Sequence, residues 1–318
     1  MKGVAKRLGG WLGALVSKGA EASLVLVMVA SLVFLCLRLL PGDPARLVLG
    51  DEASEAELSK VRVELGLDAP LWLQYARFLR QLPTLSFGES LRYPGQSAGA
   101  RVREALWPTA SLASLAVLIG ALVGVTFAVL ASGPWLGRGR AWVDRGATLV
   151  AAVPLLSFAP LVTYVFAARL RWVPLPGDPD AGVSGLLFAA GLLSLPLAAA
   201  VARVGRAALS EVARAQFVSV ARAKGGTWVR AWVLHALPAS LGPIVTVVAS
   251  QLGALLGGAV VLERLFERPG LGTLILEAYS ARDLPVLEAA VIAAGALFVV
   301  VQVVAAGLHA AFDPRVRS

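Results

Sequence analysis

The stretch LASLAVLIGALVGVTFAVLA, residues 112–131, contains no charged residue and no proline. At 1.5 Å per residue, a helix of about 20 residues spans the roughly 30 Å hydrocarbon core of a bilayer. Backbone polar groups cannot stay unpaired in lipid, and the stretch lacks the alternation of a barrel strand, so it reads as a transmembrane helix. Five more stretches read the same way: Ala22–Leu40, Gly146–Ala168, Ala181–Ala202, Leu241–Leu262 and Ala289–Leu308. Only the first holds a charge, Arg38, close enough to Pro41 to snorkel to the interface. The expected fold is all-α, a polytopic bundle of six transmembrane helices.

Composition agrees. Of 318 residues, 58% are hydrophobic and 15% charged, which excludes intrinsic disorder and an ordinary soluble domain. The lone Cys36 lies in an apolar run, so a disulfide scaffold is excluded as well. The net charge of +9 is scattered among apolar blocks, a pattern that points to a lipid bilayer and not to nucleic acid.

Basic residues Lys2, Lys6, Arg7 and Lys18 precede the first span, as they would in a signal peptide. The apolar run is long for that, and residues 38–44 (RLLPGDP) offer no small-x-small cleavage site, so the span is read as retained. Between spans, fifteen Lys and Arg fall on the amino-terminal side and thirteen on the longer opposite side. That bias puts both termini in the cytoplasm. The chain then divides into a cytoplasmic segment 1–21, the first helix 22–40, an extracytoplasmic helical segment 41–104, a transmembrane core 105–308 and a cytoplasmic tail 309–318. The core includes a cytoplasmic inner segment, 203–238.

In the outer segment, Ser54-Glu55-Ala56-Glu57 fits a capping box that starts a short helix running to about Leu65 and stopping at Gly66. A second helix follows Pro70, with Trp72, Tyr75, Leu79 and Leu82 as an apolar stripe for packing on the bundle or the headgroups. Gly88, Pro94, Gly95 and Gly99 mark an irregular return to the membrane.

The inner segment is long for a link between bundle helices and rich in Arg and Lys. Its middle reads Ser219-Val220-Ala221-Arg222-Ala223-Lys224-Gly225-Gly226. Small side chains let another surface come within backbone distance, and the glycine pair can end one helix and turn the chain into the next. That describes a docking knob. A basic amphipathic helix on anionic lipid, anchored by Trp228 and Trp232, fits the residues equally well.

Several chemistries lack their residues. The two histidines, His235 and His309, form no metal motif, and none of the lysines (2, 6, 18, 60, 224) stands in a nucleotide-binding loop. No Asp or Glu falls inside the six spans, unlike an ion-coupled carrier. An intramembrane hydrolase would need a nucleophile beside a base, and His235 has only Ser240 nearby, poorly placed on a helix. Pro154, Pro160, Pro196 and Pro243 are expected to break helical hydrogen bonds, while Gly120-x-x-x-Gly124 and Gly253-x-x-x-Gly257 allow close helix approach. Scattered polar residues (Thr126, Ser157, Thr163, Ser194, Thr246, Ser250, Gln251, Gln302) can line an uncharged passage or bond helices together. Ser157, Thr246, Ser250 and Gln251 are the candidates for a path.

The inner segment resembles the cytoplasmic signature of ABC importer permeases: Glu-Ala-Ala, three residues, Gly, nine residues, Ile, one residue, Leu-Pro. Here the Gly is Gly225, His235 takes the Ile place, Leu237-Pro238 match, and Ser219, Val220 and Ala221 stand in the first three places. Ala221-Arg222-Ala223-Lys224-Gly225 is similar to the dipeptide, oligopeptide and nickel group. Further matches are Leu40-Pro41-Gly42-Asp43-Pro44-Ala45, Leu65-Gly66-Leu67-Asp68, Phe87-Gly88-Glu89-Ser90, the run from Glu263 through Phe266, Pro269, Gly270, Leu271 and Gly272, and Asp313-Pro314-Arg315. Ala306 and His309 depart from an Asp and a Tyr often found in the group.

The resemblance implies a type I importer architecture in the bacterial cytoplasmic membrane, with this chain as the B-type, non-catalytic permease. It implies a second homologous permease, two ATPase subunits holding ATP and Mg, and an extracytoplasmic solute-binding protein, with no cofactor bound by this chain. Residues 216–228 would couple to the ATPases, chiefly through Ser219, Ala221, Arg222, Ala223, Lys224, Gly225 and Gly226. Leu237, Pro238, Glu263, Pro269, Gly270 and Gly272 are its signature residues. The implied solute is a peptide, or nickel or another small solute.

Overall fold

The computed structural model describes residues 19–36, 44–50, 53–64, 66–133, 137 and 139–312. Among these there is no strand, only an isolated bridge between Glu89 and Ser97. The helices are α1 Gly19–Cys36, α2 Pro44–Leu49, α3 Glu55–Glu64, α4 Leu71–Gln81, α5 Ala98–Ser132, α6 Arg140–Ala152 and α7 Leu155–Thr163. After a π-helical turn at Tyr164–Arg169 come α8 Gly182–Val212, α9 Gln216–Ala223 and α10 Trp228–Ala231. A second π turn, Trp232–Ala236, leads to α11 Leu237–Ala239, α12 Leu241–Leu265, α13 Leu271–Ser280 and α14 Leu284–Phe312. The expectations for residues 1–18, Leu37–Asp43, Leu65, Arg138 and 313–318 lie outside the described residues.

Five helices, α1, α5, α8, α12 and α14, are long and apolar enough to cross a membrane; α6 and α7 make a sixth only as a pair bent by 105°. A straight span at Gly146–Ala168 is therefore not what forms. The residue before a proline avoids the helical region, and Val153, ahead of Pro154, is extended at φ −89° and ψ 122°. The other three prolines do not end their helices, although Pro160 and Pro196, in helix interiors, each take one N–H out of the hydrogen-bond ladder. Pro160 and Pro196 sit within α7 and α8, and Pro243 occupies the first turn of α12, where a missing N–H leaves no bond unmade. α5 begins within the segment 41–104, and α8 runs past Ala202 to Val212.

The chain divides into two units, Met1–Pro108 with Pro269–Val303, and Thr109–Arg268 with Val304–Ser318. In the first, the core gathers Ala30 and Phe34 of α1, Phe78 of α4, Val102 of α5, Leu271 and Leu274 of α13 and Ile292 of α14. Phe34 meets Tyr75 and Phe78 with ring centroids 5.3 Å apart, and the Ser31 and Tyr75 hydroxyls lie 2.6 Å apart. The stripe expected on α4 thus packs inward through Tyr75, Leu79 and Leu82 around Phe78, but Trp72 is exposed. The irregular segment after α4 is pinned by buried Asp283, which accepts from the Ser90 hydroxyl and, at 3.2 Å, from the Leu91 N–H.

The capping box forms as its spacing predicts: Glu57 N–H donates to Ser54 Oγ at 3.3 Å, and Ser54 N–H donates to Glu57 Oε2 at 2.9 Å. The Ser54 hydroxyl and backbone N–H, with Lys60 nearby, hold the Glu57 carboxyl below its usual range. A depressed carboxylate pKa stabilises the fold above the unfolded value, about 4.3, and that contribution is lost as pH falls through the folded value. Amide-exchange protection of α3 is therefore expected to drop across that acidic window, and Ser54→Ala to flatten the dependence. An unchanged profile in Ser54→Ala would contradict this.

In the second unit α8 is the central helix. Most of its alanines, among them Ala189, Ala190 and Ala198–Ala200, are buried, and small side chains let neighbouring backbones approach. A Cβ on Gly120 would lie 2.9 Å from Leu197, and one on Gly124 would lie 2.6 Å from Val201 Cβ and 2.8 Å from the Ala198 carbonyl. Gly120-x-x-x-Gly124 is thus the face by which α5 seats on α8. In the second such motif Gly257 faces open space, and its neighbour Gly258 is the residue whose Cβ would meet Leu193 at 2.8 Å. Asp144 of α6 and Arg206 of α8 pair at 2.8 Å.

Candidate functional site

Beyond the end of α8 the chain turns at Ala215 into α9, whose only buried side chain is Val218. Val218 joins Leu209, Ala128, Ala231, Trp232 and Ala236 in one small buried core. Everything else on α9 is exposed or half-buried: Phe217, Ser219, Val220, Arg222 and Ala223 are exposed, and Ala221 is intermediate. One inward residue on a short helix leaves an outward face of small, apolar and basic side chains.

The helix ends in a full Schellman motif. Gly226 N–H donates to the Ala221 carbonyl at 3.3 Å and Gly225 N–H to the Arg222 carbonyl at 2.9 Å, with Gly225 at φ +88°. The two glycines have different reasons. Gly225 faces open space and is required for its left-handed backbone, whereas a Cβ on Gly226 would sit 2.7 Å from the Ala221 oxygen. Thr227 then caps α10, its hydroxyl accepting from the Arg230 N–H at 3.3 Å. The predicted cluster Ser219, Ala221, Arg222, Ala223, Lys224, Gly225 and Gly226 is therefore one exposed helix and its turn.

The charge around this knob has one dominant sign. Arg214, Arg222, Lys224 and Arg230 are exposed, against a single exposed carboxylate, Glu211. Arg206 lies farther back and is paired with Asp144. The alternative of a membrane-lying helix anchored by two tryptophans does not fit, because Trp232 is 4% exposed and donates its indole N–H to Ser132 Oγ at 2.8 Å. A buried ring cannot anchor in headgroups. The π turn at Trp232–Ala236 runs directly into Pro238, which has no N–H to continue an α-helical ladder.

The signature residues scatter. Leu237 and Pro238 form the short α11, half-buried and exposed respectively. Glu263 is buried in the last turn of α12 and accepts from the Thr109 hydroxyl of α5 at 2.5 Å. Pro269 is exposed, and Gly270 and Gly272 are buried at the start of α13. Thr109 lies 154 residues from Glu263 in the chain, so only the fold could show the bond.

Of the path candidates, Thr246 and Ser250 share an exposed face of α12, bonded to their own helix through the Gly242 and Val247 carbonyls at 3.0 and 2.9 Å. Ser157 is exposed on α7, and Gln251 is half-buried. Thr126 and Ser194 likewise bond to carbonyls of their own helices, at Leu122 and Gly191. The buried Thr163 hydroxyl has no hydrogen-bond partner. The Ser240 hydroxyl is buried on the Leu237 carbonyl at 2.9 Å while His235 is exposed, so no nucleophile–base pair forms there. Among the described residues no group of three or more His, Cys, Asp or Glu could hold a metal.

Comparison with known proteins agrees with this architecture. Residues 116–318 match the family described as "Binding-protein-dependent transport system inner membrane component", and residues 12–91 match its N-terminal companion. The glutathione transport system permease protein GsiC of Salmonella paratyphi A is 35% identical over 301 residues, covering 92% of this chain and 94% of that protein. The "Probable peptide ABC transporter permease protein y4tP" of Sinorhizobium fredii is 32% identical over 303 residues, covering 92% and 95%. An inward-facing structure of the MetNI methionine ABC transporter aligns over 67% of this chain and 96% of its own with a TM-score of 0.55, at 17% identity, a likeness of fold alone. With five apolar helices, a bent sixth and these relatives over nearly its whole length, the chain belongs to the binding-protein-dependent transport inner membrane components, the permease subunits of ABC transporters, and is a membrane transport component and not an enzyme.

Proposed function

We propose that this chain is one of two homologous permeases of an ATP-driven importer, that it carries a peptide or similar small solute, and that one of the importer's two ATPase subunits grips it at residues 216–228. The observation that carries the reading is α9, an exposed short helix with one buried anchor, closed by a Schellman turn and ringed by cations. A separate protein can seat such a knob in a groove, and the small side chains let the two backbones come close. The excess of Lys and Arg on that side supports placing α9 and both termini in the cytoplasm. ATP and Mg then belong to the ATPases, and this chain's residues transmit a displacement. A solute-binding protein on the opposite side would deliver the cargo. The names of the glutathione and peptide relatives support the solute class.

Crosslinking tests the dock. In a Cys36→Ser background, Lys224→Cys in the assembled transporter is expected to link to an ATPase subunit, in a yield that changes when ATP is trapped. Links to lipid alone, or none to the ATPases, would overturn the reading.

A further inference from the structure

Chain order leads from α9 through α10, the π turn and α11 into α12, so backbone continuity alone would deliver a push on α9 to α12. Side chains lead elsewhere. Arg222 of α9 sets its Cζ 3.4 Å from the centre of the Trp228 ring. Trp228 meets Trp232 with centroids 5.1 Å apart and planes at 60°. Buried Trp232 donates its indole N–H to Ser132 Oγ at 2.8 Å, on the last residue of α5.

Each step is short and stiff: a cation over a ring face, a tilted aromatic pair, and a hydrogen bond shielded from water. The far end is held as well. Ser132 Oγ donates to the Val129 carbonyl at 3.1 Å, and Arg140 of α6 donates to the Gly133 carbonyl at 2.8 Å. α5 in turn seats on α8 through Gly120 and Gly124. A displacement delivered at Ser132 therefore reaches α8, the central helix of this unit.

We infer that Arg222, Trp228 and Trp232 act as a relay of positioning residues that carries the movement of α9 to the carboxyl end of α5, with Ser132 as its terminus. The inference rests on the reading that α9 is gripped by an ATPase. It adds that the stroke enters the bundle at α5 as well as along the backbone into α12.

The measurement is amide hydrogen exchange at residues 129–133 of the assembled transporter in nanodiscs, without nucleotide and with ATP trapped by vanadate. The native chain is expected to show a several-fold change in exchange there on trapping. Trp228→Ala should lose that change while its ATPases still co-purify, and Trp228→Tyr, which keeps a ring, should retain it. If Trp228→Ala also weakens docking, Ser132→Ala decides, since it lies away from the exposed knob; it should keep the ATPases and lose the response. A simple packing role would lower stability in these variants but leave the nucleotide response at α5 intact, and that result overturns the relay. Failure of the docking reading looks different: the Lys224→Cys crosslink would be missing in a chain with native Trp228.

Discussion

Uptake is expected to stop in a Gly226→Leu variant while the chain stays folded in the membrane. The Cβ alone would stand 2.7 Å from the Ala221 oxygen, a backbone atom that cannot swing aside and that already accepts the Gly226 N–H. The Schellman closure must open, and the exposed turn that presents α9 loses its shape. Gly225→Ala is the milder companion. It keeps the space but places an L-residue at φ +88°, at a cost of about 1–3 kcal/mol, so reduced rather than abolished uptake is expected. The core under α9, Val218, Ala231 and Trp232, is untouched in both. Thermal unfolding in detergent should therefore shift little in Gly226→Leu, while co-purified ATPase and ATP-driven uptake of a dipeptide, the proposed solute class, fall to background. Native uptake by the leucine variant would sink the proposed role of this turn.

The second large effect is structural. Gly124→Leu is expected to destabilise the chain by about 3 kcal/mol, the upper end for overpacking a tight site. Its Cβ would meet Val201 Cβ at 2.6 Å and the Ala198 carbonyl at 2.8 Å, so α5 and α8 have to part. Gly257→Ala is the control. The spacing Gly253-x-x-x-Gly257 looks the same on paper, but Gly257 meets nothing within 4 Å. There the alanine should be neutral, or stabilising by about 0.5–1 kcal/mol through helix propensity. Melting temperatures of the two purified variants give the comparison, and equal losses would show that α5 does not seat on α8 through this face.

These two pairs of glycines show where sequence reading stops. Gly225-Gly226 was legible as a helix end, because two adjacent glycines after a short helical run have few other uses. Which one is required for its backbone angle and which for space depended on where the Ala221 carbonyl points. Gly120-x-x-x-Gly124 and Gly253-x-x-x-Gly257 are indistinguishable as patterns, since small-residue spacing says that a helix could approach and not which one does. The tryptophans teach the same lesson. Spacing placed Trp228 and Trp232 on one face, but only folding showed that Ser132, a hundred positions away, takes the second indole into the core.

What the sequence determined by itself is the solvent and the local elements: long uncharged runs must be helices in lipid, the capping box must start α3, and the glycine pair must end α9. Those are local consequences of desolvation and backbone hydrogen bonding, which act over a few residues. The tertiary structure decided which helix faces meet and which partners the buried polar groups Glu263, Asp283 and Trp232 find. Such choices depend on contacts between residues tens to hundreds of positions apart, and no local rule of charge, size or periodicity carries that information.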